Sequence, residues 1–453
     1  MSRLKTEPFE RNLALTRLGL NTGGRFVAHS VANVFRNEAQ REEADRSFYV
    51  ERAEALAESL GQLKGSVMKA GQMLSLYGQY FLPPEAVAVL SALQDDTPAV
   101  RWSVVAPVLE RALGRSRLAE LEIDETPMAA ASLGQAHRAR RRKDGLELVV
   151  KIQYPGVADA IESDIRSLSR LVNLSRLAPK GLDLEPIFNE VREMLHREVD
   201  YEAEAHFTRS FGERLARDRR FVVPQVLSSY STDRVLTTSF ESGVSVRQDA
   251  IRQLPQGRRN RLGGNFLELF LTEFFDWGMV QTDPHFGNYR IRTEENGEDR
   301  IVLLDFGATR TFGRGFIDAY ADIVSGALEG DEPRIHAGSK AIGLMGEAFP
   351  EPVLKAFSRL CMEVVEPFVD PAEGRVPAER FNAAGAYRWG ASDLPLRAGR
   401  IASRNALSRY FRVPPREIVF LHRRLAGVFI MLSTLDCEWR GREQLLKALG
   451  RAS

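Results

Sequence analysis

The stretch QTDPHFGNYRI, residues 281–291, sets Asp283 five residues ahead of Asn288, and VLLDFGATR, residues 302–310, brings in Asp305 from an apolar run. That order constrains the chain more than any other feature. Two acids and an amide, carried on one loop and on the end of a strand-like run, are hard oxygen donors. They suit magnesium, which takes few protein groups and otherwise leans on phosphate oxygens. A loop Asp, an Asn five residues on, a strand and Asp-Phe-Gly together match the phosphoryl-transfer arrangement of kinases. There the loop acid orients the attacking hydroxyl, and the amide and second acid hold magnesium against the phosphates. A surface Asp-Pro turn beside an unrelated strand-end acid is the plain alternative, and Asp-Phe-Gly alone is a weak signal.

The remaining chain is read for the other parts of such a site. Residues 1–118 pattern as helices, with Leu56, Leu60, Leu63, Val67, Ala70, Leu74 and Tyr77 on one face of a helix over 51–79. Pro83 and Pro84 stop it, and shorter helices follow near 84–94 and 102–114. From 119 the texture becomes strand-like, with a hairpin turn at Asp144-Gly145. Helices are expected at 156–176, 184–207 and 257–277, and short strands at 221–224 and 234–240. The segment 279–306 is turn-rich with two strand-like pieces. Beyond 314 the chain reads as helical, apart from a poorly patterned stretch at 366–398.

Several residues fit phosphate handling, each with a bland reading beside it. Lys151 ends the strand LELVVK; alternation puts Val149 and Lys151 on one face and Leu146, Leu148, Val150 and Ile152 on the other. A strand lysine can neutralise phosphates or can simply be exposed. In FNEVREMLHREVDYEAEAHF (188–207), Asp200 and Glu204 share a helix face. Glu198 falls on the stripe of Ile187, Val191, Met194 and Ala205, where a carboxylate is costly unless a cation meets it. PMAAASLGQAH (127–137) has Ala129, Ala130, Ala131 and Ser132 where a kinase has glycines. Alanines give a turn a narrower set of conformations. In LKGSVMKAGQMLS, Lys69 and Gln72 share a face beside Gly65 and Gly71, able to lie close to another backbone or to form a polar surface stripe.

Together these residues resemble the UbiB family of AarF-domain-containing atypical kinases. The resemblance spans about 56–310 and rests on Lys69–Gln72 (Lys-x-Gly-Gln), Ala129–Ser132, Val149–Lys151, Glu198–Asp200 (Glu-x-Asp), Glu204, Asp283…Asn288 and Asp305-Phe306-Gly307. It implies an α+β, bilobal protein-kinase-like fold: a helical extension (1–118), an N-lobe with inserted helices (119–242) and a largely helical C-lobe (243–453). It implies ATP or ADP with Mg2+. Asp283 and Lys151 would be catalytic, and Asn288 and Asp305 would hold the metal. Ala129 to Ser132, Val149, Lys151 and Glu204 would serve the nucleotide, with Lys151 paired to Glu204. Lys69 and Gln72, with Glu198 and Asp200, would place the extension across the substrate entrance. Ubiquinone or other isoprenoid-lipid metabolism, and ATP hydrolysis more than protein phosphorylation, are the implied roles. Ser239 departs from a hinge Glu common in the family, and the C-terminal spans of many members are missing.

Composition sets the remaining expectations. A formal net charge of +1 gives no reason to propose nucleic acid, and two cysteines without metal spacing favour a reducing, cytoplasmic setting. No signal peptide or membrane span is read. Arg388, Arg397, Arg400, Arg404, Arg409, Arg412, Arg416, Arg423 and Arg424 are a candidate peripheral contact with anionic membrane, or else a face paired with acids elsewhere. A lipid or quinone precursor is the candidate ligand beside the nucleotide. Two rival readings stay open: a small-molecule phosphotransferase of the aminoglycoside or choline kinase type, and a non-catalytic nucleotide-sensing scaffold.

Overall fold

A computed structural model describes residues 47–51, 53–54, 69–71, 73–74, 87–88, 99–175, 184–346, 349–394, 397 and 414–450. The chain divides into two compact units, one within residues 1–203 with 226–240, the other within 204–225 with 241–453.

The first unit is built on an antiparallel sheet. Strands β1 (Leu121–Ala130), β2 (Gly134–Arg141) and β3 (Glu147–Gln153) follow one another as a meander. The short β4 (Phe221–Val222) belongs to the second unit, and β5 (Val235–Ser239) returns to pair with β3 and complete the order β1-β2-β3-β5. The expected hairpin forms at Asp144-Gly145, where Gly145 takes φ +73°, a conformation that favours a residue without Cβ. Alternation along β3 buries Leu148, Val150 and Ile152 completely against Val105 and Leu109 of helix α1 (Trp102–Ala119), leaving Val149 and Lys151 half-buried on the other face. Regular helical geometry breaks at Gly114 (φ 75°), where the sequence pattern ends.

Helix α2 (Val157–Ser175) agrees with expectation, but the single helix over 184–207 does not. The structure has α3 (Glu185–Glu198) and α4 (Tyr201–Leu215), separated at Val199 and Asp200. The cause is a side-chain competitor for the backbone: Asp200 Oδ1 accepts from Ala203 N at 2.9 Å and so caps α4. Of the expected 51–79 helix, the described residues 51, 53–54, 69–71 and 73–74 are helical, with Ala70 and Leu74 buried as the stripe requires. Leu56, Leu60, Leu63, Val67 and Tyr77 lie outside the described residues, as do Gln72, Pro83 and Pro84.

The second unit is mainly helical. Helix α5 (Gln256–Leu271) runs into a π-helical turn, Thr272–Asp276, and Gly278 (φ 59°) turns the chain into β6 (Met279–Gln281). Strands β7 (Tyr289–Arg292) and β8 (Arg300–Leu303) pair antiparallel, β4 joins β8 in parallel, and β9 (Thr309–Thr311) returns to β6. Helices α6 (Arg314–Glu329), α7 (Glu332–Ala341), α8 (Glu351–Val364), α9 (Arg416–Thr434) and α10 (Arg442–Ala448) follow. Short 3-10 turns occupy the poorly patterned region, at Glu366–Phe368, Pro371–Glu373, Ala378–Arg380 and Trp389–Ala391. The core gathers Phe266, Phe274, Phe306, Val428 and Leu432. Among the described residues no helix is long and apolar enough to cross a membrane.

Candidate functional site

In the second unit, the loop between β6 and β7 is held from both ends. Thr282 donates to Ala308 O through its backbone N (3.2 Å) and its hydroxyl (2.6 Å). Asn288 O accepts from Leu304 N at 2.9 Å, which ties the loop to the residue just before Asp305. Between these ties Phe286–Asn288 form a 3-10 turn, capped by His285 Nδ1 accepting from Gly287 N at 3.0 Å. The result brings two separated sequence signals together: Asn288 Nδ2 donates to Asp283 Oδ2 at 2.9 Å and to Asp283 O at 3.2 Å. The amide nitrogen of Asn288 is thus committed to Asp283.

Asp305 lies two residues beyond β8 and accepts from Gly307 N at 3.0 Å through Oδ1. Phe306 between them is 1% exposed and packs on Phe211 of α4 with ring centroids 4.6 Å apart. Glu204, buried at the start of α4's portion in this unit, comes close as well. An ideal Cβ on Gly307 would lie 3.5 Å from both Asp305 Oδ1 and Glu204 Oε2. Two carboxylates thus converge on one glycine.

Helix α9 lies against the same loop. Gly427 has no room for a side chain, since a Cβ there would fall 1.9 Å from Pro284 Cβ. One turn earlier, Arg423 Nη2 donates to Asp283 Oδ1 at 2.6 Å. Beside it, Arg424 is fully buried. Its Nη1 donates to Tyr289 Oη, and its Nη2 lies 3.2 Å from each oxygen of Glu273. Tyr289 passes the contact on by donating to Gln281 Oε1 at 3.1 Å. Burial pushes the Glu273 carboxyl up to about 7, with Arg424 pulling the other way, and burial raises the Tyr289 hydroxyl too.

The first unit holds the other expected residues. Lys151 stands on β3 between Ala136 of β2 and Leu236 of β5, with Val149 on its face. The alanine-rich segment is the turn of the β1–β2 hairpin: Ala129 and Ala130 pair with Ala136 and Gln135, Ala131 N donates to Gly134 O at 2.9 Å, and Ser132 is buried. Gly134 is required there, because a Cβ would meet Ile152 O at 2.6 Å and Tyr201 Oη at 2.8 Å. Lys69 Nζ lies 3.1 Å from Glu198 Oε1, so the acid on the apolar stripe of α3 does meet a cation. Asp200, expected on a helix face with Glu204, is instead the cap of α4.

Sequence reading missed the α9 residues as site residues. Arg423 and Arg424 entered only as members of a basic stretch. The signal was present in LHRRLAGVFIML: two consecutive arginines inside an apolar run need buried or catalytic partners. Of the nine arginines in that stretch, the five described ones all face acids: Arg388 Glu438, Arg397 Glu363, Glu366 and Asp393, Arg416 Glu417, Arg423 Asp283, and Arg424 Glu273. Arg400, Arg404, Arg409 and Arg412 lie outside the described residues.

A loop carrying Asp283 and Asn288 beside an Asp-Phe-Gly segment, with a strand lysine on a separate antiparallel sheet, matches an α+β protein-kinase-like fold. Comparison with known proteins narrows the class: residues 92–339 match the ABC1 atypical kinase-like domain, and the chain belongs to that family, the UbiB atypical kinases. It is 33% identical over 385 residues to "Atypical kinase coq-8, mitochondrial" of Caenorhabditis elegans, covering 84% of this chain and 49% of that protein. It is 35% identical over 387 residues to "Atypical kinase COQ8B, mitochondrial" of Rattus norvegicus, covering 84% and 69%. The chain thus spans about half to two thirds of such relatives. Among solved structures, the erythromycin complex of Rv3197 from Mycobacterium tuberculosis is similar at a TM-score of 0.58 and 26% identity, covering 87% of this chain and 95% of that one.

Proposed function

We propose that this protein is a magnesium-dependent, ATP-binding atypical kinase or ATPase of the UbiB type, supporting ubiquinone or other isoprenoid-lipid metabolism. The observation that carries the reading is the Asn288–Asp283 hydrogen bond on a loop tied by its backbone to the strand end at Asp305. It supports a shared role for the loop acid, Asn288 and Asp305 of the kind that phosphoryl transfer uses. Asp305 and the amide oxygen of Asn288 are hard donors that fit Mg2+. When bound, the ion neutralises phosphate charge. Asp283 orients the attacking hydroxyl or water, Lys151 meets the α/β phosphates, and Glu204 fixes the lysine. The alanine-rich turn, Val149 and Ser132 bound the nucleotide. The Lys69–Glu198 pair anchors the Lys-x-Gly-Gln helix and limits access by large acceptors. The family membership and the names of the relatives support kinase or ATPase chemistry; the isoprenoid-lipid setting rests on the UbiB resemblance.

A lipid or quinone precursor is the proposed ligand, in a cytoplasmic protein with peripheral contact to anionic membrane; the latter rests on arginines beyond those paired above. One observation favours a second reading, a small-molecule phosphotransferase: a solved relative is a complex with erythromycin, a compound carrying several alcohols.

The test is phosphate release from ATP with magnesium, with and without lipid or a phenolic quinone precursor, in wild type and Asp283→Asn. Turnover in wild type that is strongly reduced but still measurable in the variant, with nucleotide binding retained, supports the proposal. Nucleotide binding without turnover in either protein refutes it in favour of a scaffold, and phosphate appearing on a small alcohol supports the second reading.

A further inference from the structure

We infer that Arg423 is a positioning residue for Asp283, and that helix α9 rather than the loop itself sets the angle of the catalytic carboxylate. The inference rests on the reading of Asp283 as the catalytic acid. Its two oxygens are engaged from different directions, Oδ2 by Asn288 Nδ2 at 2.9 Å and Oδ1 by Arg423 Nη2 at 2.6 Å. One contact leaves a carboxylate free to turn about its last side-chain bond; two on opposite oxygens fix the plane. The guanidinium also places a positive charge beside a carboxylate that must work near a triphosphate.

The helix is built for this task. Arg423 and Gly427 are four residues apart and share a face of α9, and they meet two consecutive loop residues, Asp283 and Pro284. Gly427 lets the helix backbone rest directly on the proline. Arg424, the next residue, is anchored in the buried cluster of Glu273 and Tyr289, and its guanidinium carbon lies 4.9 Å from the Phe266 ring centre. The helix therefore cannot rotate or slide without breaking a buried ion pair. Arg423 itself is about one-third exposed (31%), where an ion pair contributes little to stability, so its value lies in orientation.

The test is a double-mutant cycle on the full chain, measuring magnesium-dependent ATP turnover and nucleotide affinity for wild type, Arg423→Gln, Arg423→Lys, Asp283→Asn and the Arg423→Gln/Asp283→Asn pair. A misaligned catalytic group costs up to about 100-fold, so Arg423→Gln is expected to lower kcat about 10- to 100-fold. Nucleotide affinity should stay within about twofold, and Arg423→Lys should recover part of the loss. In the Asp283→Asn background Arg423→Gln should change little, since the residue acts through Asp283. Fully additive losses, a parallel loss of nucleotide affinity, or a faster Arg423→Gln enzyme would each overturn the inference.

If wild type shows no turnover, the proposed activity fails, and amide hydrogen exchange decides the positioning role separately. Arg423→Gln should speed exchange across 282–288, whereas Arg292→Gln, which removes an ion pair to Glu241 in the same unit, should not. Unchanged exchange in Arg423→Gln would then sink it.

Discussion

Replacing Arg424 by methionine probes how the loop that carries Asp283 is braced. Arg424 is 0% and Glu273 1% exposed in side-chain terms, so the substitution leaves a carboxylate in apolar surroundings with its cation gone. Removing one partner of a buried pair costs about 3–5 kcal/mol, and a unit of this size loses about 2–4 °C per kcal/mol. Thermal denaturation near pH 8 should therefore fall by roughly 6–20 °C. The pH dependence is more diagnostic. The folded-state pKa of Glu273, about 7, lies above its ordinary 4.5, so the folded state holds a proton that the unfolded chain releases. The corresponding stability is full below pH 4.5 and is lost as pH rises to about 7, where the wild-type loss levels off. Without Arg424, which pulls the carboxyl down, the folded pKa rises further, and the loss continues above neutrality at about 1.4 kcal/mol per pH unit. Melting curves from pH 5 to 9 should thus show the gap between variant and wild type widening above pH 7. A gap that stays constant with pH would refute the claim that Arg424 pulls the Glu273 carboxyl down.

Other perturbations follow from the same geometry. Gly427→Ala puts a methyl group 1.9 Å from Pro284 Cβ; overpacking of about 1–3 kcal/mol should outweigh the ~1 kcal/mol gained in helix propensity, and turnover should drop alongside the melting temperature. Lys69→Glu should lower stability by about 0.5–1 kcal/mol, because the partly exposed pair (20% and 36%) turns from attraction into like-charge repulsion. The charge-swapped Lys69→Glu/Glu198→Lys protein should regain it in a denaturant titration.

Much of this arrangement was legible in the sequence because local pattern and chemistry agreed. Period-two alternation located the buried face of β3 and the opposite face that carries Lys151. Asp-Gly marked the hairpin, and Glu198 does meet Lys69, although at 36% exposed its carboxylate carries less burial cost than the apolar stripe implied. Where long-range packing decides, sequence was silent. Nothing local says that Arg423 reaches 140 residues back to Asp283, or that Gly427 is small because Pro284 lies against it. The break between α3 and α4 was misread for a different reason. Asp200 can sit on a helix face or cap the next helix, and only the chain's path at Val199 selects the cap.

The membership of β5 in the first unit has a practical outcome for dissecting this protein. A fragment ending at Ala203 would omit Val235–Ser239 and strip β3 of one neighbour, leaving a bare row of amides and carbonyls on the strand that bears Lys151. Such an open border invites pairing with other chains. The piece should clump rather than fold, so that fragment is not a transferable cassette, and its loss of function would say nothing about catalysis.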